Sequence, residues 1–275
     1  MSVRVITDST AAFDAATAAA HGISIVPTLI TIGTSAYRDG DVPLPELLAR
    51  FDEGVSTSGP PPGAFAEAVA GADDGAVVLT VSADLSSTFR AATVGATRSD
   101  AEVRVVDTGT AAGAQALAAV HAARVAATGV SLDEVEAAAR RAAAGVRLVG
   151  ALETVEYLVR GGRLNGVMGG LANRLGIRPL FELSGGRIRR LRPAFSRSGA
   201  LDRLFRLWER SRVEGARLHV AALHALAPES AERLLERVRA EVDPETALVA
   251  EFGAVMVVHS GPHLVALSWW WEEPS

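Results

Sequence analysis

Three clusters of hydroxyl side chains punctuate the first third of the chain: Thr7-Asp8-Ser9-Thr10, Thr57-Ser58, and Ser82 with Ser86-Ser87-Thr88. Hydroxyls set beside the free backbone N–H groups of a helix start form a site for an anion. Each cluster taken alone is equally what an ordinary helix cap looks like. Three in one half of the chain tilt the reading toward an anion site, with Ser86 or Ser87 opening the helix that carries Phe89. Near the other terminus, His259-Ser260-Gly261-Pro262 closes the apolar run Val255 to Val258, read here as a strand. An imidazole at that point can donate to an anionic ligand or cap the turn. The segment Tyr157-Leu158-Val159-Arg160-Gly161-Gly162-Arg163 joins a tight glycine turn to arginines. Guanidinium groups suit bidentate binding of a carboxylate or phosphate, or stand as solvated charges.

Other chemistries are excluded by what the chain lacks. It has no Cys, so disulfides, thiolate nucleophiles, cysteine zinc sites and iron–sulfur clusters are out of reach. All 27 basic residues are Arg. Without Lys there is neither a Walker A loop nor a Schiff-base amine. No G-x-G-x-x-G follows a strand, and no G-x-S-x-G elbow occurs. The histidines make poor metal pairs. His263 is cut off from His259 by Gly261-Pro262, and His219 and His224 fall on opposite sides of one strand. His21 and His121 read as helix-surface residues, so no metal is expected. A net charge of −5 argues against nucleic acid as a partner. The opening MSVRVITDST reads as a first strand and not as a leader, and no apolar run reaches membrane-span length. The expectation is a soluble cytoplasmic protein. Trp269-Trp270-Trp271 reads as packing more than as an interface.

These groups need a scaffold. The first half alternates strands (Val3 to Thr7, Ile23 to Ile32, Ala76 to Val81, Val103 to Val106) with helices, which predicts a parallel sheet covered on both faces. Ligands bind such sheets at the carboxyl ends of the strands, where the three hydroxyl clusters are expected to stand. Ser56 to Pro62 reads as a loop. The second half mixes helices with hairpins, one of them turning at Ser184-Gly185-Gly186, and predicts an α+β domain. The fold class is α/β in two domains, residues 1–148 carrying the hydroxyl site and 149–275 the His259 loop.

In this order, the motifs resemble the DegV family of fatty-acid-binding proteins. Val3 to Thr10 matches its V-x-V-I-T-D-S-T opening, Asp39-Gly40 its D-G turn, and Thr57-Ser58-Gly59-Pro60 its T-S-Q-P. Leu85 to Phe89 matches L-S-G-T-Y and Val106-Asp107-Thr108 matches V-D-S/T. Leu152 through Arg163 is similar to L-x-x-L-x-Y-L-x-x-G-G-R, Ser184 to Ile188 to the later hairpin, and Val258 to Pro262 to T-H-T-G-P. The ordered array spans nearly the whole chain. Gly59 stands where the family has Gln, Ser87 replaces Gly, Phe89 replaces Tyr, and His263-Leu264-Val265 departs from G-A-L.

The resemblance implies a DegV-like fold with a lipid tunnel between its two domains. It implies a long-chain fatty acid as ligand and no other cofactor. The partner would be a separate ATP-dependent fatty acid kinase that makes the acyl-phosphate. Contact with a membrane for ligand exchange stays open. By position, Thr57, Ser58 and Ser86 would hydrogen-bond the carboxylate, with His259, Ser260 and Arg163 lining or electrostatically supporting it. No residue is assigned a catalytic role. The residues alone leave two alternatives standing: a small-molecule enzyme using the hydroxyl clusters and His259, and a binder of another apolar carboxylic acid.

Overall fold

The computed structural model describes residues 3–160 and 177–274. Its first half runs β1 (Arg4–Asp8), α1 (Ala15–Ala20), β2 (Ile23–Val26), β3 (Leu29–Ile32), β4 (Ser35–Arg38), α2 (Leu44–Ala49), β5 (Val55–Ser58), α3 (Pro62–Val69), β6 (Ala76–Thr80), α4 (Thr88–Ala96), β7 (Val103–Asp107), α5 (Ala112–Ala126) and α6 (Leu132–Gly145). Strands β2-β1-β6-β7 form a four-stranded sheet in which every neighbour is parallel. All five residues of β6 are buried, as a strand covered on both faces requires.

The segment Ile23 to Ile32 is not one strand. Pro27 interrupts it. Pro has no N–H to give a sheet ladder, and the chain changes direction there. β2 stays in the parallel sheet, while β3 leaves it to sit between β4 and β5 in a small antiparallel sheet. Ser56 to Ser58 is therefore strand and not loop: β5 pairs with β3 in the register Ile30↔Thr57 and Leu29↔Ser58. The second hydroxyl cluster reaches its place on this arm, not at the end of a parallel strand.

The second half runs β8 (Arg147–Ala151), α7 (Glu156–Arg160), β9 (Arg178–Ser184), β10 (Arg187–Ala194), α8 (Arg197–Glu209), β11 (Arg217–His224), α9 (Pro228–Arg239), β12 (Thr246–Glu251), α10 (Ala254–Ser260) and β13 (Val265–Glu272). Its six-stranded sheet has the order β10-β9-β8-β13-β11-β12, antiparallel except between β11 and β12. The fold class is thus α/β with a parallel sheet in the N-terminal part and a mixed sheet after it. The run Ala254 to His259, expected as a strand, is helix α10. Five apolar residues in a row are too few for periodicity to separate the two states. At the start of the segment a distant carboxylate, Asp39, takes up the N–H of Val255.

Helix α5 lies between the two sheets, packed on β1 and β6 from one side and on β11 and β13 from the other. A helix buried all round must be apolar all round. Its sequence AGAQALAAVHAARVA also keeps it thin. At Gly113 a Cβ would stand 2.6 Å from Leu223 Cδ1, so only glycine lets the helix approach β11 this closely. The three consecutive tryptophans pack: Trp269 is fully buried, Trp270 stacks on His219, and Trp271 stacks on Trp208. Among the described residues no helix is long and apolar enough to cross a membrane.

Candidate functional site

A cavity of about 350 Å³ opens between the small antiparallel arm, the end of β6 and the C-terminal sheet. One end is polar. Thr57 and Ser58 come from β5, Ser86 and Ser87 from the turn before α4, and His259 and Ser260 from the last turn of α10. The other side is hydrocarbon: Leu148 and Leu152 at the ends of β8, Phe181 and Leu183 from β9, Val255 from α10, and Leu264. Five of the six residues named from the sequence, Thr57, Ser58, Ser86, His259 and Ser260, thus line one cavity. Arg163 lies outside the described residues.

The polar end is wired. Thr57 Oγ1 lies 2.8 Å from His259 Nε2. Ser86 Oγ lies 2.8 Å from Thr88 Oγ1 and accepts the Thr88 N–H at 3.2 Å, so it caps the first turn of α4 while facing the cavity. A Cβ on residue 59 would stand 2.8 Å from Thr88 Oγ1, so Gly59 leaves that hydroxyl its room. Ser260 is different. Its hydroxyl donates to the carbonyl of Met256 at 2.9 Å, the back-bond common for serine in a helix. With its proton so directed, Ser260 meets the cavity through its oxygen lone pairs.

The first hydroxyl cluster mostly turns inward. Asp8 is fully buried. It accepts the N–H of Val81 at 2.8 Å, the N–H of Thr10 at 3.0 Å, Nε2 of Gln115 at 3.1 Å and the hydroxyl of Thr10. Thr7 donates to the carbonyl of Leu79 at 2.9 Å. Burial pushes the Asp8 carboxyl above its usual range, and the donors around it pull back. Only Thr10 of this cluster reaches the cavity wall. Ser9 instead joins Thr28 at 2.7 Å and donates to Asp39 at 2.8 Å. Thr28, Gln115 and the role of Asp39 were not legible in the sequence. Each acts through a partner far along the chain.

A second group of ionisable side chains lies away from the cavity. His121 on α5, His219 on β11 and Glu272 on β13 bring their ligand atoms within 4.8 Å of one another. His121, expected on a helix surface, is buried, because the second sheet covers the face of α5 that carries it. Burial lowers its pKa to about 4 and lowers that of His219 too. The cluster is held by its own hydrogen bonds. His219 bonds Thr246 Oγ1 at 2.9 Å and Glu272 Oε2 at 3.0 Å, and Arg217 reaches the same carboxylate at 2.8 Å. Arg124 also contacts the Thr246 hydroxyl at 3.3 Å. Two guanidinium groups beside the site oppose a divalent cation, so the cluster is read as a structural tie in which His219 and Arg217 of β11 hold Glu272 of β13 and the neutral His121 of α5 packs against them.

The DegV family profile, described as an uncharacterised protein family, matches residues 2–272. The chain belongs to the DegV family. A DegV domain-containing protein of Streptomyces coelicolor is 38% identical over 274 residues, covering 96% of this chain and 97% of that one. A DegV domain-containing protein of Mycobacterium tuberculosis is 31% identical over 276 residues, covering 97% and 96%. Among solved structures, a DegV family protein from Thermus thermophilus, described by its fatty acid binding, superposes with a TM-score of 0.89 at 28% identity, over 98% of this chain and 100% of its own. A DegV family protein from Corynebacterium glutamicum gives 0.82 at 28% identity, with all of both chains covered.

Proposed function

We propose that this DegV protein binds a long-chain fatty acid in the cavity and presents its carboxylate to a separate ATP-dependent fatty acid kinase. The observation that carries this reading is the polarity of the cavity: hydrocarbon walls lead to one cluster of hydroxyls closed by the Thr57–His259 hydrogen bond. The Thermus relative described by its fatty acid binding supports it.

The energetics agree. Each buried CH₂ contributes about 0.8 kcal/mol, so a sixteen-carbon chain gains on the order of 11 kcal/mol before ordering costs. The tail supplies affinity without any specific contact. A buried carboxylate would oppose binding unless several donors satisfy it. Thr57, Ser58 and Ser86 are in place to donate, and charge-assisted bonds of this kind are the strong ones. His259 supports the anion through Thr57 or directly. Arg163 is the cationic member of the proposed set. On the proposed division into residues 1–148 and 149–275, the hydroxyls belong to the first domain and the imidazole to the second, and the head group would bridge the two.

Phosphoryl transfer needs a metal and a phosphate cradle. The chain has no Lys for a phosphate loop, which supports leaving the chemistry to a partner. Native mass spectrometry of the purified protein, followed by denaturing extraction, tests the reading. A co-purified fatty acid of one or a few chain lengths is expected. A protein that carries none and takes up none from oleate or palmitate overturns it.

One observation favours a second reading. Thr57 Oγ1 at hydrogen-bond distance from an imidazole nitrogen is the geometry of an activated hydroxyl. If Thr57 is a nucleophile, incubation with an activated acyl ester leaves a covalent acyl adduct on Thr57. The carrier reading expects only reversible binding.

A further inference from the structure

The cavity depends on α10, a helix of seven residues that has no cap of its own. Its N-cap is Gly253, which brings no side chain. A helix this short is not stable by itself in water, so its position rests on what holds its ends. The far end is closed by Gly261, whose N–H reaches the Val257 carbonyl at 2.8 Å. The near end is closed from the other half of the protein. Asp39, just past β4, accepts the N–H of Val255 on Oδ1 at 3.2 Å, across a sequence separation of 216 residues.

The capping carboxylate is itself clamped. Its Oδ2 accepts from Ser9 Oγ at 2.8 Å and from Thr28 Oγ1 at 3.2 Å, and the Asp39 N–H donates to the Thr28 carbonyl at 2.8 Å. Two hydroxyls thus fix one oxygen and leave the other aimed at the helix. Gly253 is shaped to this contact: a Cβ there would stand 2.8 Å from Asp39 Oδ2. Val255 and His259 are four residues apart, about one helical turn, so the capped N–H and the imidazole lie along one side of α10. A negative charge at this end also suits the helix dipole.

We propose that Asp39 is a positioning residue for His259: by capping α10 from the N-terminal half, its carboxylate sets where the imidazole meets Thr57 and so the shape of the head-group site. The proposal rests on the fatty-acid reading for its consequence, not for its geometry. Asp39 touches no ligand. It acts through the helix. An asparagine keeps the acceptor that Val255 needs and is as good a cap as aspartate, whereas alanine has no acceptor at all.

The test uses the full chain, wild type and the variants Asp39→Ala, Asp39→Asn and Gly253→Ala. The His259 imidazole ¹⁵N–¹H signals, identified by their loss in His259→Ala, report its environment. Displacement of a fluorescent fatty acid by palmitate reports affinity. Asp39→Ala is expected to shift the His259 signals and weaken palmitate roughly fivefold, about the effect of a lost cap. Asp39→Asn is expected to recover most of both. Gly253→Ala, which crowds the carboxylate without removing it, is expected to move the His259 signals as Asp39→Ala does, and it carries the test if Asp39→Ala does not fold. Unmoved His259 signals in both Asp39→Ala and Gly253→Ala overturn the proposal. A wild type that binds no fatty acid sinks the functional reading alone, since the imidazole signals still decide the role of Asp39.

Discussion

Thr57 and His259 are 202 residues apart in sequence, and their side chains meet at 2.8 Å across the polar mouth of the cavity. One stands on β5, which pairs with the strand that Pro27 frees from the parallel sheet, the other on the last turn of a helix held from its far end. The contact joins the two halves of the protein at the point where a bound carboxylate would lie. Breaking it should therefore be felt by the ligand more than by the fold.

Thr57→Val removes the hydroxyl and keeps the branched shape. Palmitate affinity should fall by about 1.5–3 kcal/mol, the range for a hydrogen bond to a charged group, or at least tenfold. The melting temperature should move little, because Thr57 is half-buried on a three-stranded arm at the cavity mouth. Fluorescent-ligand displacement and thermal unfolding check both halves. Wild-type affinity in Thr57→Val would remove Thr57 from the head-group site.

Ser86 carries two duties at once. Its oxygen caps the Thr88 N–H and its hydroxyl faces the cavity. Ser86→Ala should cost about 0.5–2 kcal/mol of stability from the lost cap, and separately about 1–3 kcal/mol of fatty-acid binding. Urea unfolding of the ligand-free protein isolates the first, and displacement isolates the second. A stability loss without a binding loss would leave Ser86 an ordinary cap.

How far these residues could be read in advance follows from the range of the forces that place them. The parallel sheet was legible because β1 and β6 are short apolar runs followed by helices, a local pattern. The hairpin at Gly185-Gly186 was legible from its turn chemistry. β5 was not, since VSTS is polar and its pairing with β3 becomes visible only once Pro27 has turned the chain. α10 was not, since AVMVV suits strand and helix equally and the residue that meets its first turn, Asp39, lies 216 positions away. The hydroxyls that line the cavity stand out in the sequence because their types and short motifs are local. The buried hub around Asp8 was read as part of the anion site, although its donors all point at a carboxylate already present in the chain.

The buried carboxyl of Asp8 and the half-buried one of Asp39 predict an unusual pH response. Burial raises the pKa of both Asp8 and Asp39, and hydrogen bonds lower it only in part. A carboxyl whose folded pKa lies above its unfolded value stabilises fully below the unfolded value. That stability is lost as pH rises through the folded value. Acidification from neutrality toward the ordinary carboxylate range should thus add a stabilising increment from each. Glu182 and Glu272 work in the opposite sense. Burial opposes their charge, but Arg189 and Arg147 for the first, and His219, His121 and Arg217 for the second, hold them below the usual value. Their contribution is lost as pH falls through those lowered values. Comparing wild type with Asp39→Asn isolates one group. The unfolding free energy of wild type minus that of the variant should grow as pH falls from about 7 to about 4. A difference independent of pH would show that Asp39 titrates as it does in the unfolded chain.

The length of the acyl chain should be set where β8 meets β9. Gly150 pairs directly with Phe181, and a Cβ on Gly150 would stand 2.5 Å from Phe181 Cε1 and 3.2 Å from Leu264 Cδ1. Both Phe181 and Leu264 line the cavity. The sheet backbone fixes Gly150, so the added methyl in Gly150→Ala has to displace the ring, and the cavity is the open space next to it. The consequence differs by ligand. A short acyl chain that ends before Phe181 loses nothing, while a long one forfeits about 0.8 kcal/mol for each methylene it can no longer bury, near fourfold per carbon pair excluded from half its contacts and more where exclusion is complete. Displacement measured from lauric to stearic acid should show affinity falling for the longer acids and unchanged for the shorter. A uniform loss across the series would mean that the methyl disturbs the sheet itself, and that the tail lies elsewhere.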